Sequence, residues 1–135
     1  MFAHLHLYTE YSLLDGACRI KRLLDTAAER GDRAVAITDH GVMYGAVDFY
    51  KAAKARGINP IIGCEVYVAQ RSRFDKTREL DSEHRHLVLL CENNTGYQIW
   101  RRWFPRAGLR DSTASRASIL SSWSNIMRVD CPVCM

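Results

Sequence analysis

Long apolar segments, secretory features and a cysteine scaffold are all missing from this sequence of 135 residues. No run of about 18 apolar residues occurs, so we expect no segment that spans a membrane. The first residues lack the basic region, apolar core and cleavage site of a secretory signal. The five cysteines do not follow the spacing of a disulfide scaffold. We therefore expect a cytoplasmic protein in a reducing compartment, with no membrane partner.

Lys and Glu are absent from the C-terminal part of the chain, residues 99–135. This part contains six Arg and two Asp and supplies the whole net charge of +4, whereas residues 1–98 balance 13 basic against 13 acidic residues. Cys131 and Cys134 have the spacing of half a zinc knuckle, but no second pair lies nearby, so we interpret them as chance. We predict a domain boundary at residue 98, followed by an irregular tail.

Residues 1–98 alternate between strand and helix patterns. Apolar residues recur at helical spacing in Arg19–Arg30 and Met43–Arg56, and a glycine follows each segment. Short apolar runs predict buried strands at Phe2–Leu7, Ala34–Thr38, Pro60–Val68 and His86–Cys91. Residues 70–85 form a polar excursion, and a third helix is predicted from Asn93 to about Trp103. This alternation predicts a parallel sheet, with ligands at the carboxyl ends of its strands.

Candidate metal ligands lie in and after the predicted strands. His4 and His6 are two residues apart in the first strand, where such positions share a face, and imidazole is the commonest metal ligand. His40 follows a strand directly. Glu65 interrupts an apolar strand, where an unpaired carboxylate is costly.

Each candidate also has a simpler interpretation. The two early histidines could alternate without a shared role, and His40 could be a loop residue beside a helix-capping Asp39. Glu65 could face outward, and Asp15 could be a turn residue. His84 or His86 is a further candidate near the start of the fourth strand. Imidazole with carboxylate suits Zn²⁺, Mn²⁺ or Fe²⁺ better than Ca²⁺, and several such ligands together favour a multinuclear hydrolytic site.

Three segments resemble the PHP (polymerase and histidinol phosphatase) family, and within it the opening of bacterial replicative DNA polymerase III alpha subunits. They read FAHLHLYTEYSLLDGA, AVAITDHGVMYGAVDFYKAAKARGINPIIGCEVYVA and HLVLLCENNTGYQ. The resemblance covers residues 1–98. It implies an α/β fold, a distorted (β/α)7 TIM-like barrel that is incomplete here, and divalent metal ions, Zn or Mn first, of which the complete family domain binds up to three.

The resemblance also implies a ligand set. The residues that match the motif positions are His4, His6, Asp15, His40, Glu65 and His86. His84 is not at a matching position, and Asp39 is a neighbour of a ligand. Three further family ligands, a Cys, an Asp and a His, have no counterpart here, so we expect fewer metals than in the complete domain. No catalytic residue is assigned.

The implied function belongs to DNA replication, with DNA and other subunits of the polymerase holoenzyme as partners. In the family this domain resembles a metal-dependent 3′–5′ exonuclease, and polymerization lies in domains that follow it. We therefore expect an inactive N-terminal fragment that binds DNA weakly. The alternatives are a free-standing PHP phosphoesterase that acts on a small phosphate monoester and a non-catalytic scaffold module.

The resemblance stops after Gln98. The family continues with an Asn-Leu pair and an amphipathic helix, whereas this chain continues IWRRWFPRAGLR. When the residues after Gln98 are back-translated with chosen codons and the codons are read one base earlier, they can give a segment that resembles the family's continuation. We therefore expect residues 99–135 to be a tail derived from a frameshift, on a chain that is marginally folded alone.

Overall fold

The computed structural model describes residues 2–68, 85–109 and 133–134, with side chains up to residue 102. The helices and strands in these ranges are, in chain order, α1 (Ile20–Arg30), β1 (Ala34–Ile37), α2 (Ala46–Ala55), β2 (Asn59–Val68), β3 (Arg85–Cys91), α3 (Asn94–Leu109) and β4 (Val133–Cys134). The chain divides into two compact units. The first comprises Met1–Glu65 with Val88–Leu90, and the second comprises Val66–Leu87 with Cys91–Met135. The predicted excursion at 70–85 lies outside the described residues except for Arg85.

The sheet of the first unit is built on a parallel pair of strands. β1 and β2 run parallel, with Ala34 opposite Asn59 and Ile37 opposite Ile62. β3 is the next neighbour of β2, and a side chain at Gly63 would collide with its backbone because an added Cβ would lie 2.6 Å from the Leu89 carbonyl oxygen. In the second unit, β4 is the neighbour of β3. The predicted parallel pairing of the second and third apolar runs is thus confirmed.

The core of the first unit forms where α1 and α2 cover one face of β1. Leu24 of α1, Ile37 of β1 and Phe49 of α2 belong to this core, and none is more than 2% exposed. Burying each of these side chains contributes roughly 1.5–3 kcal/mol relative to leaving it in water. At the edge of the core, Arg56 Nε donates to Asp25 Oδ1 over 2.8 Å and ties the end of α2 to α1.

The apolar pattern of α2 predicts an inner face of Ala46, Val47, Phe49, Tyr50 and Ala53, and this face is only partly confirmed. Ala46, Phe49 and Ala53 are buried, but Val47 and Tyr50 are 55% and 49% exposed. The buried residues follow a spacing of three and then four, so the stripe that enters the core is narrower than the apolar pattern of the sequence suggests.

The end of α1 agrees with the prediction, whereas α3 extends beyond it. α1 ends at Arg30, and Gly31 follows it in a left-handed conformation at φ 74°, as predicted. α3 continues across the predicted boundary at residue 98 as far as Leu109, so the first part of the expected irregular tail is helical. None of the helices within the described ranges is long and apolar enough to cross a membrane.

The prediction of a regular first strand over Phe2–Leu7 is wrong. This segment runs beside β1 and accepts two backbone bonds, from Ala36 N to His4 O at 2.9 Å and from Thr38 N to Leu7 O at 2.8 Å. Two steps along β1 therefore correspond to three steps along the N-terminal segment. One extra residue interrupts the ladder in the manner of a bulge, and the alternation on which a shared face for His4 and His6 depended is lost.

Two thiols report whether the isolated chain adopts this fold. Burial raises the pKa of Cys64 to about 12 and the pKa of Cys91 to about 11, whereas Cys18 is exposed. Because the thiolate is the reacting form, we expect a thiol reagent at pH 8 to label Cys18 quickly and the other two only after unfolding. Mass spectrometry of the labelled peptides measures this difference. Equal labelling of Cys18 and Cys64 would contradict the described core.

Candidate metal centre

His40 and Glu65 lie side by side beyond the end of β1 and on β2. They form a parallel bridge, in which Glu65 N–H donates to Asp39 O at 3.3 Å and Gly41 N–H donates to Glu65 O at 2.8 Å. Gly41 has a φ of 64°, a left-handed conformation that turns the chain immediately after His40 and that glycine adopts without steric cost. One candidate ligand atom of His40 and one of Glu65 lie within 4.8 Å of each other.

The buried carboxylate of Glu65 lies beside an imidazole and a hydroxyl group. The residue is 2% exposed, its Oε2 lies 3.4 Å from His6 Nε2, and the same oxygen accepts a hydrogen bond from the Tyr8 hydroxyl. Two ligands of one tetrahedral ion with bonds of ~2.1 Å are separated by about 3.4 Å. The spacing of His6 and Glu65 therefore fits two ligands of a single ion.

The Thr38 hydroxyl orients the ring of His6. Thr38 Oγ1 accepts the Leu7 N–H at 2.9 Å and donates its one hydrogen to Leu7 O at 3.2 Å. It also lies 2.8 Å from His6 Nδ1. A neutral His6 that binds a metal through Nε2 carries its proton on Nδ1, and Thr38 Oγ1 is placed to accept the hydrogen bond from that N–H.

Asp15 lies beside the ring of His40, as Thr38 lies beside the ring of His6. Its Oδ2 lies 3.1 Å from His40 Nδ1, the kind of carboxylate partner that orients a histidine ligand. The backbone N–H of His40 donates to Ser12 Oγ at 3.1 Å. The His40 side chain is 15% exposed and that of Asp15 is 44% exposed, so the carboxylate of this pair lies on the solvent side.

The loop that carries Asp15 is held by a buried acid. Asp39 Oδ1 accepts the Thr9 N–H at 2.6 Å, and Asp39 Oδ2 accepts the Thr9 hydroxyl at 2.7 Å. Burial raises the pKa of Asp39, and the two bonds from Thr9 oppose that rise. Gly16 closes the loop against the same residue, because an added Cβ would lie 1.8 Å from Thr9 O. Both oxygens of Asp39 are thus used to hold the chain, in agreement with its interpretation as a neighbour of a ligand.

Two further predicted histidines each pack against an aromatic ring. His4 is exposed, and its ring packs edge-on against Phe2 at 4.7 Å. His86 belongs to the second unit, where it packs edge-on against Tyr67 at 4.8 Å. His84 and Cys131 lie outside the described residues.

Sequence reasoning missed the residues that hold the candidate ligands in place. Thr38, Tyr8 and Ser12 donate to or accept from them through side-chain hydroxyls. A signal existed for Tyr8, since it continues the spacing of two that joins His4 and His6. The hydroxyls of Thr38 and Ser12 carried no signal, because common polar residues acquire these roles only through the packing of β1 against the N-terminal segment.

Comparisons with known proteins show the family of the chain. The profile of the PHP domain matches residues 4–114. The chain is 50% identical over 98 residues to the DNA polymerase III subunit alpha of Treponema pallidum and 52% identical over 112 residues to that of Thermus aquaticus. These alignments cover 72% and 80% of this chain, but only 8% and 9% of those relatives.

Solved structures share the fold. An amidohydrolase from Chromobacterium violaceum, with bound sulfate and no metal, is 28% identical at a TM-score of 0.52, over 78% of this chain and 34% of that protein. A metal-dependent phosphoesterase, described as putative, from Bifidobacterium adolescentis is 19% identical at a TM-score of 0.51, over 78% of this chain and 32% of that protein. The second likeness shows the fold alone. The part of the chain described here corresponds to about a third of those folds, as expected for an incomplete barrel.

The chain belongs to the PHP domain family. In its first unit a Glu65 carboxylate oxygen lies 3.4 Å from an imidazole nitrogen of His6, and a ligand atom of His40 lies within 4.8 Å of one of Glu65. Imidazole with carboxylate suits Zn²⁺ or Mn²⁺. Each of these groups has a hydrogen-bonding partner that sets its orientation: Thr38, Asp15 or Tyr8. Partners of this kind accompany metal ligands in proteins, so the residues present fit a divalent cation.

The tautomer of His6 in the Zn²⁺-loaded chain tests this geometry. With Nε2 bound to the ion, we expect the ring proton of His6 on Nδ1, where it donates to Thr38 Oγ1. Long-range ¹H–¹⁵N correlation spectra distinguish the two ring nitrogens. An Nε2–H tautomer in the loaded chain would contradict the role given to Thr38.

Proposed function

We propose that this chain is the opening, metal-binding part of a PHP domain of the kind present in bacterial DNA polymerase III alpha subunits, and that its biological setting is DNA replication. The proposal is supported above all by the 3.4 Å approach of His6 Nε2 to Glu65 Oε2, next to His40. The sequence identity of about half over 95–112 residues points to the same class of protein.

In this proposal, His6, His40 and Glu65 hold one Zn²⁺ or Mn²⁺. Asp15, His4 and His86 are candidate ligands for further ions. Asp15 also orients His40 through the 3.1 Å contact to Nδ1. A divalent ion in such a site polarises a phosphoryl oxygen and lowers the pKa of a bound water, which is the chemistry of metal-assisted phosphoester hydrolysis.

The chain's own residues define where a substrate phosphate would approach. Glu65 is buried and His6 is half exposed, with 51% of its side chain accessible, so the open side of the centre is the side of His6. The substrate class proposed for the complete domain is the 3′ end of a DNA strand, and its activity is that of a 3′–5′ exonuclease. This chain lacks three of the family's ligands, and we expect it to show little or none of that activity alone. DNA polymerization is not expected from these residues, which span 8–9% of the length of the relatives.

The proposed partners are DNA and the other subunits of a replicative polymerase, in the cytoplasm. Residues 1–98 carry as many acidic as basic residues, and phosphate neutralisation by Lys and Arg supplies most non-specific affinity for DNA. Tight binding of DNA therefore depends on surfaces of those partners. Domain boundaries at residue 98 and the origin of residues 99–135 remain predictions from the sequence.

The metal affinities of two ligand variants and one control variant test the centre. His6→Ala and Glu65→Ala each remove a ligand, so we expect each to weaken Mn²⁺ or Zn²⁺ binding by at least the ~10–100-fold that loss of an outer partner causes. Glu29→Ala is the control, because it removes an exposed carboxylate of α1 that is not a candidate ligand, and it should leave that affinity unchanged. Calorimetric titration of the full chain measures all three. Unchanged affinity in both His6→Ala and Glu65→Ala would refute the centre.

Substrate assays separate the proposed function from its alternatives. The metal-loaded chain is offered a DNA strand with a labelled 3′ end and, separately, p-nitrophenyl phosphate. Release of 3′ nucleotides supports the exonuclease. Hydrolysis of the monoester without any cleavage of DNA would overturn it in favour of a small-molecule phosphoesterase, and tight metal binding without either activity would favour a scaffold role.

A further inference from the structure

Tyr8 lies among the candidate ligands, although it is not itself one of them. Its hydroxyl donates to Glu65 Oε2. Its ring packs edge-on against His6, with centroids 5.1 Å apart at 85°, and lies nearly parallel to the ring of His40 at 6.2 Å and 14°. One side chain thus contacts all three groups that would hold the ion.

The backbone on both sides of Tyr8 is anchored, so the direction of its side chain is set by the fold. Leu7 is bound on both its N–H and its carbonyl oxygen by the Thr38 hydroxyl. Thr9 is fully buried and is bound twice by Asp39. Tyr8 lies between these two fixed residues, and its hydroxyl reaches Glu65 on β2.

The hydrogen bond from Tyr8 gives Glu65 a defined orientation. An ionised carboxylate accepts hydrogen bonds through about four lone-pair sites on its two oxygens. The Tyr8 hydroxyl occupies one site on Oε2, and the face of that oxygen toward His6 Nε2, 3.4 Å away, remains directed at the proposed ion. Because Glu65 is buried, solvent cannot supply an equivalent donor when the hydroxyl is absent.

We infer that Tyr8 is the positioning residue of this centre, which holds Glu65 Oε2 in the orientation that binds the cation. The inference rests on the proposed metal centre and adds a residue that acts through a ligand. It completes a pattern in which each ligand has its own partner: Thr38 for His6, Asp15 for His40 and Tyr8 for Glu65. If the role of Tyr8 were only to fill space, its ring would suffice and the hydroxyl would be dispensable.

The test removes the hydroxyl and keeps the ring. Tyr8→Phe in the full chain should weaken Mn²⁺ and Zn²⁺ binding by ~10–100-fold, the usual effect of losing an outer partner of a ligand. Tyr11→Phe is the matched control, because the Tyr11 hydroxyl also donates to a carboxylate, Asp48, at 2.9 Å, in an exposed position away from Glu65. Its affinity should stay within about twofold of the unmodified chain.

A second readout separates positioning from structural support. Co²⁺ replaces the metal, and its visible spectrum reports the arrangement of its ligands, so we expect altered band positions in Tyr8→Phe and unaltered ones in Tyr11→Phe. Thermal unfolding of the metal-free chains shows whether either substitution damages the fold. A Tyr8→Phe chain that unfolds at a lower temperature but keeps the metal affinity and the Co²⁺ spectrum would overturn the inference.

The outcome is distinguishable from failure of the centre itself. If His6→Ala and Glu65→Ala lose metal but Tyr8→Phe does not, the centre stands and the role of Tyr8 is wrong. If all of these variants bind metal like the unmodified chain, the centre is wrong, and the inference about Tyr8 is overturned with it.

Discussion

The paired hydrogen bonds from Thr9 to the buried carboxylate of Asp39 are the contact on which the candidate site depends. Asp39 is 1% exposed and Thr9 is fully buried. The backbone N–H and the hydroxyl of Thr9 each donate to a different carboxylate oxygen, at 2.6 and 2.7 Å. Hydrogen bonds to a charged group contribute roughly 1.5–3 kcal/mol each, and a carboxylate buried without them would be strongly unfavourable. The end of β1 therefore holds the N-terminal segment at one fixed point.

Both halves of the site extend from that point. Before Thr9, the chain presents His6 and Tyr8 to Glu65. After Thr9, it turns so that Ser12 binds the backbone of His40 and Asp15 binds its ring. The segment before Thr9 positions His6 and Tyr8, the hydrogen-bonding partner of Glu65. The segment after Thr9 positions His40. A change at Asp39 is therefore expected to disturb every ligand together, although Asp39 itself does not contact the proposed ion.

The sequence predicted the elements that depend on apolar periodicity. Patterns that packing enforces predict α1 and α2 and the parallel pairing of β1 with β2. They also predict the placement of His40 and Glu65 near strand ends. The geometry of Phe2–Leu7 could not be predicted in this way, because a single extra residue against β1 cancels the alternation and separates His4 from His6. The roles of the hydroxyl groups were also unpredictable from the sequence. Thr and Ser are common in loops, and only the folded backbone determines which imidazole or carboxylate they reach. α3 crosses the compositional boundary because a change of charge balance does not itself end a helix.

The most direct test of the account is the position of a bound ion. Anomalous X-ray diffraction from crystals of the chain grown with Mn²⁺ or Zn²⁺ locates the metal independently of its effect on activity. The account predicts a peak at ~2.0–2.2 Å from His6 Nε2 and from a Glu65 carboxylate oxygen, on the side of Glu65 that faces His6 and with His40 completing the set. A metal peak found only elsewhere, for example between Cys131 and Cys134, would contradict it.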